Sequence, residues 1–482
     1  MAEEEKEIEE EKKGPSLPSK PLEKLTIKEL REIALKIPNV QGVHGMNKAE
    51  LVALLKDYFG IKEEKKRDVA SIRELKKKIR ELKAKREEAR SKGDKKIVNI
   101  LRRTDKSAQE KNQKVGSLEM NIVLPKFLSQ LRPYSAGKPI KEVQTEYGIS
   151  MPVKLASNEN PLGPSPKAIA AIKEALQDIH RYPDSQITEL RYKLASVLGV
   201  KSQQIVIGNG SDEIMSFIGQ AFLLSGEEVI VPFPSFSIYE KVAIMSQANL
   251  IKVPLKNLSI DLEAIKDRIS QKTKLIFLTN PHNPTGSFFE APLLENFLKN
   301  VPRSTLIILD EAYIDFVSPK RHFESLNYLK DFSNLIILRS FSKSYGLAGL
   351  RVGYGIMNIE LANILERVRY PFNVNTLAQV AAINALDDKE FLETTRKLVW
   401  EGREFITKAL TELGIRVYPS EANFLLVYIG KKAVEIYESL LKKGIIVRPL
   451  TNYHLPEYIR ISIGKPEENQ TFIEFFKEIW QK

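Results

Sequence analysis

The chain has 482 residues, 43% of them hydrophobic and 28% charged, the make-up of an ordinary globular protein with room for about two to four domains. It has no cysteine, which excludes disulfides, thiolate metal sites and cysteine nucleophiles, and its five histidines show no metal-ligand spacing, which argues against a zinc enzyme. The net charge is +12, but residues 61–116 alone carry +11, against −2 over 1–60 and +3 over 117–482, so a basic segment is joined to a near-neutral body. No apolar run approaches the ~20 residues of a membrane span, and the first ten residues are acidic, unlike a secretory leader. The expectation is a soluble cytoplasmic protein, with an organic cofactor if it is an enzyme.

Residues 1–22 are charged and then rich in Gly, Pro and Ser, and read as a disordered acidic tail. Thr26-x-x-Glu29 reads as a capping box that opens a helix with Leu30, Ile33, Ala34 and Ile37 at helical spacing, stopped by Pro38. Asn47-x-x-Glu50 opens a second helix with Leu51, Leu54 and Leu55, ended by Gly60. This all-α pair, residues 23–60, resembles the N-terminal domain of the transcription terminator Rho and the SAP motif, and the resemblance implies nucleic-acid binding. In 67–90, Ile72, Leu75, Ile79 and Leu82 form a helical seam among Lys, Arg and Glu, and Ile97, Val98 and Leu101 continue it as the return of a hairpin. Residues 61–116 either touch phosphates as a basic helical hairpin or form a solvated charged helix that spaces domains or pairs with a copy of itself. They contain no aromatic residue, so any binding is directed at the backbone and is blind to sequence.

From about residue 117 the texture changes. Short β-branched runs at 204–207, 228–231, 274–278, 306–309 and 334–338 alternate with helical patterns such as 167–179 and 189–198. Runs apolar on both faces and separated by helices predict a mostly parallel central sheet with helices on both faces. Ligands of such folds sit at the carboxyl ends of the strands, and the polar motifs follow the apolar runs. Gly208-Asn-Gly210-Ser211-Asp212 opens a helix and suits an anion. Thr279-Asn-Pro281-His-Asn283-Pro284-Thr-Gly286 is a rigid turn that can present Asn283 inward. Asp310 ends a buried strand and needs a cation or donors. Lys343, in Phe341-Ser342-Lys343-Ser344, is desolvated, which lowers its pKa and favours imine chemistry. Arg351 lies eight residues on.

Asn283-Pro, Asp310-x-x-Tyr313, Ser340-x-Ser342-Lys343 and Arg351, in that order, resemble the fold type I pyridoxal-phosphate (PLP) aminotransferases. Lys154-Leu-Ala-Ser-Asn158-Glu-Asn160-Pro-Leu-Gly163, Arg181-Tyr182-Pro183-Asp184 and Ile459-Arg460-Ile-Ser-Ile-Gly464 narrow the resemblance to the histidinol-phosphate aminotransferase family, over about 120–482. It implies an arm at 117–164, a large PLP-binding domain at 165–370 and a small α/β domain at 371–482. It implies that Lys343 binds PLP as a Schiff base and moves the proton. Asp310 then pairs with the pyridine nitrogen, Asn283 and Tyr313 bond the ring's phenolic oxygen, and Phe236 stacks on the ring. The backbone at Ser211 and Asp212, with Ser340, Ser342 and Arg351, holds the phosphate, joined by Tyr182 from a second subunit of a homodimer. Arg460 clamps the carboxylate of glutamate or 2-oxoglutarate, Arg448 meets the phosphate of histidinol phosphate, and Tyr134 and Asn160 line the substrate pocket. Read without the resemblance, Arg448 is a surface charge at a strand end. The same residues also suit an O-phosphothreonine decarboxylase or an aromatic amino-acid aminotransferase.

Overall fold

The computed structural model describes residues 25–35, 46–59, 124–131 and 137–481, with Pro18, Leu22, Ile37, Val43 and Pro133 besides. Most of the tail at 1–22, the basic segment at 61–116 and Tyr134 lie outside the described residues. The chain divides into two compact units, 1–124 and 125–482.

In the first unit the capping signals do what the residue types require. Thr26 Oγ1 accepts from the Glu29 N–H at 3.3 Å, and Glu29 Oε2 accepts from the Thr26 N–H at 2.7 Å, which opens helix Ile27–Ala34. Asn47 and Glu50 repeat the exchange at 3.1 and 2.8 Å ahead of helix Lys48–Tyr58. Leu30, Ala34, Leu51 and Leu55 are fully buried between the two helices, and Leu22, Leu25, Ile37 and Val43 complete the core. Ile37 enters that core past the end of its helix, so the helix stops short of the Pro38 boundary. With so small a core, cutting Leu51 back to Ala would cost about 2–5 kcal/mol.

In the second unit a two-residue strand, β1 (Val153–Lys154), leads into a seven-stranded sheet. Its strands are β2 (Ile205–Gly208), β3 (Glu228–Phe233), β4 (Asn249–Pro254), β5 (Thr273–Thr279), β6 (Leu306–Asp310), β7 (Leu335–Ser340) and β8 (Gly353–Met357), in the order β2-β8-β7-β6-β5-β3-β4. Strands β3 to β7 pair in parallel, and β8 runs antiparallel between β2 and β7. The period of two along each strand divides the core. Ile276, Leu278, Ile307, Leu309 and Ile337 face one layer, with Ala168 and Ala378 from helices Pro166–Ala175 and Thr376–Leu386. Leu275, Phe277, Ile308, Ile336 and Leu338 face the other, with Met215, Val242 and Leu365 from helices Ser211–Phe222, Ser237–Met245 and Ile359–Val368. The fold is therefore α/β, fold type I, with helices on both faces of a mixed, mostly parallel sheet. Strand β8 is absent from the predicted runs because its Gly353-Tyr-Gly355 start reads as a loop.

The rest of the body forms a second, antiparallel sheet. Strands β9 (Arg416–Tyr418), β10 (Phe424–Tyr428), β12 (Arg448–Pro449) and β13 (Tyr458–Ser462) lie in the order β12-β13-β10-β9. Helices Lys389–Glu412, Ala433–Lys442 and Pro466–Trp480 cover it with Val399, Ile406, Leu440 and Phe472. Strand β11 (Ile445–Ile446) pairs with β1 in parallel, which ties the segment entering the body to the segment entering the second sheet. Among the described residues no helix is long and apolar enough to cross a membrane.

Candidate active site

The carboxyl ends of the parallel strands open into a cavity of about 180 Å³. Its lining includes Ser211, Asp212, Phe236, Asn283, Asp310, Tyr313, Ser340, Ser342, Lys343 and Arg351 from the main sheet, and Arg448 and Arg460 from the second. A larger, shallower groove of about 700 Å³ runs along helix Lys389–Glu412 by Trp400, Thr407 and Tyr418, and holds none of these residues.

One end of the cavity is built for an anion. Helix Ser211–Phe222 begins at Gly210 with no side-chain cap, so its first N–H groups are left for a ligand. Gly210 has φ of +82°, and a Cβ there would sit 2.4 Å from Arg351 Nη2, so only glycine lets the guanidinium lie over the turn. Arg351, itself at φ +60°, sends Nη1 to Ser342 Oγ at 3.4 Å and Nη2 to within 3.6 Å of Asp212. Ser340 Oγ accepts from the Ser342 N–H at 3.0 Å and leaves its own proton to donate.

The other end is built for a cation. Asp310 is buried on the last position of β6 and meets only neutral donors: the Tyr239 hydroxyl at 2.7 Å and the Ala312 N–H at 3.0 Å. Burial pushes its carboxyl up to about 6 despite those bonds. A protonated ring nitrogen set against it would supply the missing positive charge. Tyr239 is held in place by stacking on Phe277 at 4.8 Å.

Between the ends stand the lysine and a phenol–amide pair. Lys343 Nζ donates to the Ser157 carbonyl at 3.2 Å. Burial brings its pKa down to about 8, helped by the positive charges of Arg460 and Arg351 and opposed by Glu159 and Asp212. The Tyr313 hydroxyl accepts from Asn158 Nδ2 at 3.1 Å and from Asn283 Nδ2 at 3.3 Å, and its ring stands edge-on to Phe424. Burial raises the phenol pKa, so it is a neutral hydroxyl able to donate to a ligand oxygen.

The second sheet closes the cavity. Arg448 and Arg460 are opposed residues of β12 and β13, 6% and 5% exposed, so Arg448 is no surface charge. Arg460 sends Nη1 to Asn283 Oδ1 at 2.6 Å and Nη2 to the Ala156 carbonyl at 3.0 Å. Its buried Nε has no partner among the described residues, which leaves a donor for a ligand acid.

One expectation meets a different geometry. Asn160 does not line the cavity: its Nδ2 donates to the Ser344 carbonyl at 2.9 Å and to Thr395 Oγ1 at 3.2 Å, so its amide is consumed in structure. Tyr182 is 82% exposed, stacks on Phe372 at 4.6 Å and is absent from its own chain's cavity. Two other residues were overlooked. Asn158, at φ +54°, is fixed by Ser462 and Asn423 and aims at Tyr313. Asn is the residue that tolerates that backbone region, which is the one signal its sequence carried. Tyr239 carried none, since a Tyr inside an amphipathic helix reads as core.

Buried acid at one end, anion cradle at the other and a lysine of lowered pKa between them match the donor set that PLP needs. The chain matches the model of the family "Aminotransferase class I and II" over residues 150–476, and it belongs to that family as a PLP-dependent transaminase. It is 43% identical to a histidinol-phosphate aminotransferase of Moorella thermoacetica over 78% of this chain and 99% of the relative. It is 44% identical to one of Caldicellulosiruptor saccharolyticus over 72% and 98%. Within its class the chain belongs to the histidinol-phosphate aminotransferase family. Among solved structures it resembles the histidinol-phosphate aminotransferase of Sinorhizobium meliloti in complex with pyridoxal-5'-phosphate, with a TM-score of 0.69, 27% identity and coverage of 76% and 99%.

Proposed function

We propose that this chain is a cytoplasmic histidinol-phosphate aminotransferase that moves an amino group between L-histidinol phosphate and 2-oxoglutarate. The observation that carries the substrate reading is the buried arginine pair, Arg448 opposite Arg460, lining one cavity with Lys343. One pocket must accept a phosphate monoester in one half-reaction and a dicarboxylate in the other. Two desolvated guanidinium groups suit both.

PLP, when bound, supplies an electron sink for the bond cleaved at the substrate carbon. Asp310 holds the ring nitrogen protonated. The backbone at Ser211–Asp212, with Ser340, Ser342 and Arg351, would hold the phosphate, and Phe236 would cover a ring face. Asn283 and Tyr313 hold the phenolic oxygen. Lys343 binds the cofactor, and as a neutral amine takes the proton from the substrate carbon and returns it on the far side of the exchange. Arg460 turns its orphaned Nε to the carboxylate, and Arg448 takes the substrate phosphate.

We further infer a homodimer in which Tyr182 of one copy reaches the phosphate of the other. Its exposure and its distance in role from its own cavity support this reading. We also infer an arm at 117–164, a large domain at 165–370 and a small domain at 371–482; the two sheets support the last two, although helix Thr376–Leu386 packs on the main sheet. For the first unit we infer weak, salt-sensitive contact with nucleic-acid phosphates through residues 23–116. The net charge of +11 on residues 61–116 supports this.

The test is to incubate the purified protein with histidinol phosphate and 2-oxoglutarate, and separately with O-phosphothreonine, and to identify products. Imidazole-acetol phosphate and glutamate are expected. Carbon dioxide from O-phosphothreonine with no transamination would overturn the assignment.

A further inference from the structure

Lys343 sits in a turn that follows β7. The Gly346 N–H donates to the Lys343 carbonyl at 3.2 Å, so Ser344 and Tyr345 form the middle of the turn and their placement sets the lysine backbone. Ser344 is gripped from two sides. Its carbonyl accepts from Asn160 Nδ2 at 2.9 Å, and its hydroxyl donates to Asp315 Oδ2 at 2.5 Å.

Each grip is anchored on one helix. Asn160 also donates to Thr395, and Asp315 receives Arg396 Nε on its carbonyl at 3.0 Å and Nη2 on its carboxylate at 3.3 Å. Thr395 and Arg396 are neighbours on helix Lys389–Glu412. A separate observation points the same way. Gly346 has φ of +69°, and a Cβ there would lie 2.0 Å from the Gly163 carbonyl oxygen, so the turn and the segment after Asn160 touch backbone to backbone.

We propose that Asn160 and Asp315 are positioning residues that hold the Lys343 turn through Ser344, with Thr395 and Arg396 as their anchors. This rests on Lys343 being the lysine that binds the cofactor. The amine must stand within bonding reach of two atoms in turn, and the turn has no strand or helix of its own to hold it. A displacement of an ångström or so there costs far more in rate than in substrate affinity.

The experiment follows covalent loading of cofactor-free enzyme with pyridoxal phosphate, by absorbance and by borohydride trapping with peptide mapping, alongside kcat and KM. Ser344→Ala and Asn160→Ala should each slow loading and lower kcat by about tenfold, with KM within about twofold. The double variant should be no worse than the poorer single, because both act on one turn. Asp315→Asn, which keeps an acceptor for the Ser344 hydroxyl, should recover most of what Asp315→Ala loses. Should Asn160→Ala fail to fold, Ser344→Ala, which removes a single oxygen, carries the test. Unchanged loading and kcat in Ser344→Ala, with label on Lys343, would overturn the brace. Label on another lysine in the unaltered enzyme would overturn the reading of Lys343 instead.

Discussion

The two sheets of the body serve one cavity by different means. The main sheet works through its strand ends, where the turns after β5 and β7 deliver Asn283 and Lys343 and the end of β6 delivers Asp310. The second sheet works through strand pairing, where β12 and β13 set Arg448 opposite Arg460 in register. Strand ends of a parallel sheet converge on one rim, so several turns can surround a ring. Two strands paired in register hold their side chains rigidly, which suits two fixed cationic donors. On the proposed function, cofactor chemistry sits on the first sheet and substrate recognition on the second, and the Arg460–Asn283 bond links the two inside the cavity.

The largest expected effect breaks the first sheet's share alone. Lys343→Ala should lose at least about 10⁴-fold in turnover, because covalent attachment and proton transfer vanish together. Steady-state kinetics with borohydride-trapped controls check this. Turnover within tenfold of the unaltered enzyme would place the chemistry elsewhere.

Arg460→Ala should lower kcat/KM by about a hundredfold in the half-reaction with 2-oxoglutarate, the loss of a charge-assisted carboxylate contact of about 1.5–3 kcal/mol. It should also reach across to the first sheet. The reactive form of Lys343 is the neutral amine, which grows as pH rises through its pKa. Burial first, and Arg460 second, hold that pKa at about 8. At pH 7 about one amine in ten is then neutral, roughly 300 times the fraction expected at the ordinary 10.5. Loading of cofactor-free enzyme should therefore rise with pH to a midpoint near 8, and the midpoint should move upward in Arg460→Ala. A midpoint that does not move would separate the two sheets completely.

The smallest effect concerns the first unit. An enzyme beginning at residue 117 should keep turnover within about twofold, since every lining residue lies in 125–482. The full chain should retard RNA or DNA in a gel at low salt and the shortened one should not, with retardation falling steeply toward physiological salt. Equal behaviour of the two would leave the basic segment a spacer.

The difference between the sheets also decided what could be read in advance. Asn283, Asp310, Lys343 and Arg351 were legible because each follows an apolar run, and order and chemistry agreed. The antiparallel β8 was not, because glycines that make room inside a sheet look like a turn. Tyr239 and Asn158 act through partners 71 and 155 positions away, and no local pattern reports a contact that only the closed fold creates. Asn160 shows the converse. Its motif was visible, but whether its amide faced the cavity or the Ser344 turn depended on helix Lys389–Glu412, far along the chain. The arginine pair was visible as two residues, and its pairing needed the register of β12 on β13.

The division of labour is tested most directly by Arg448→Ala, followed in single turnover with histidinol phosphate and with unphosphorylated histidinol. Cofactor binding should be unchanged, since Arg448 belongs to the second sheet. The preference for the phosphorylated substrate should fall by about tenfold or more, the value of one lost charge-assisted bond. Equal losses on both substrates, or loss of the cofactor, would contradict the assignment of recognition to that sheet.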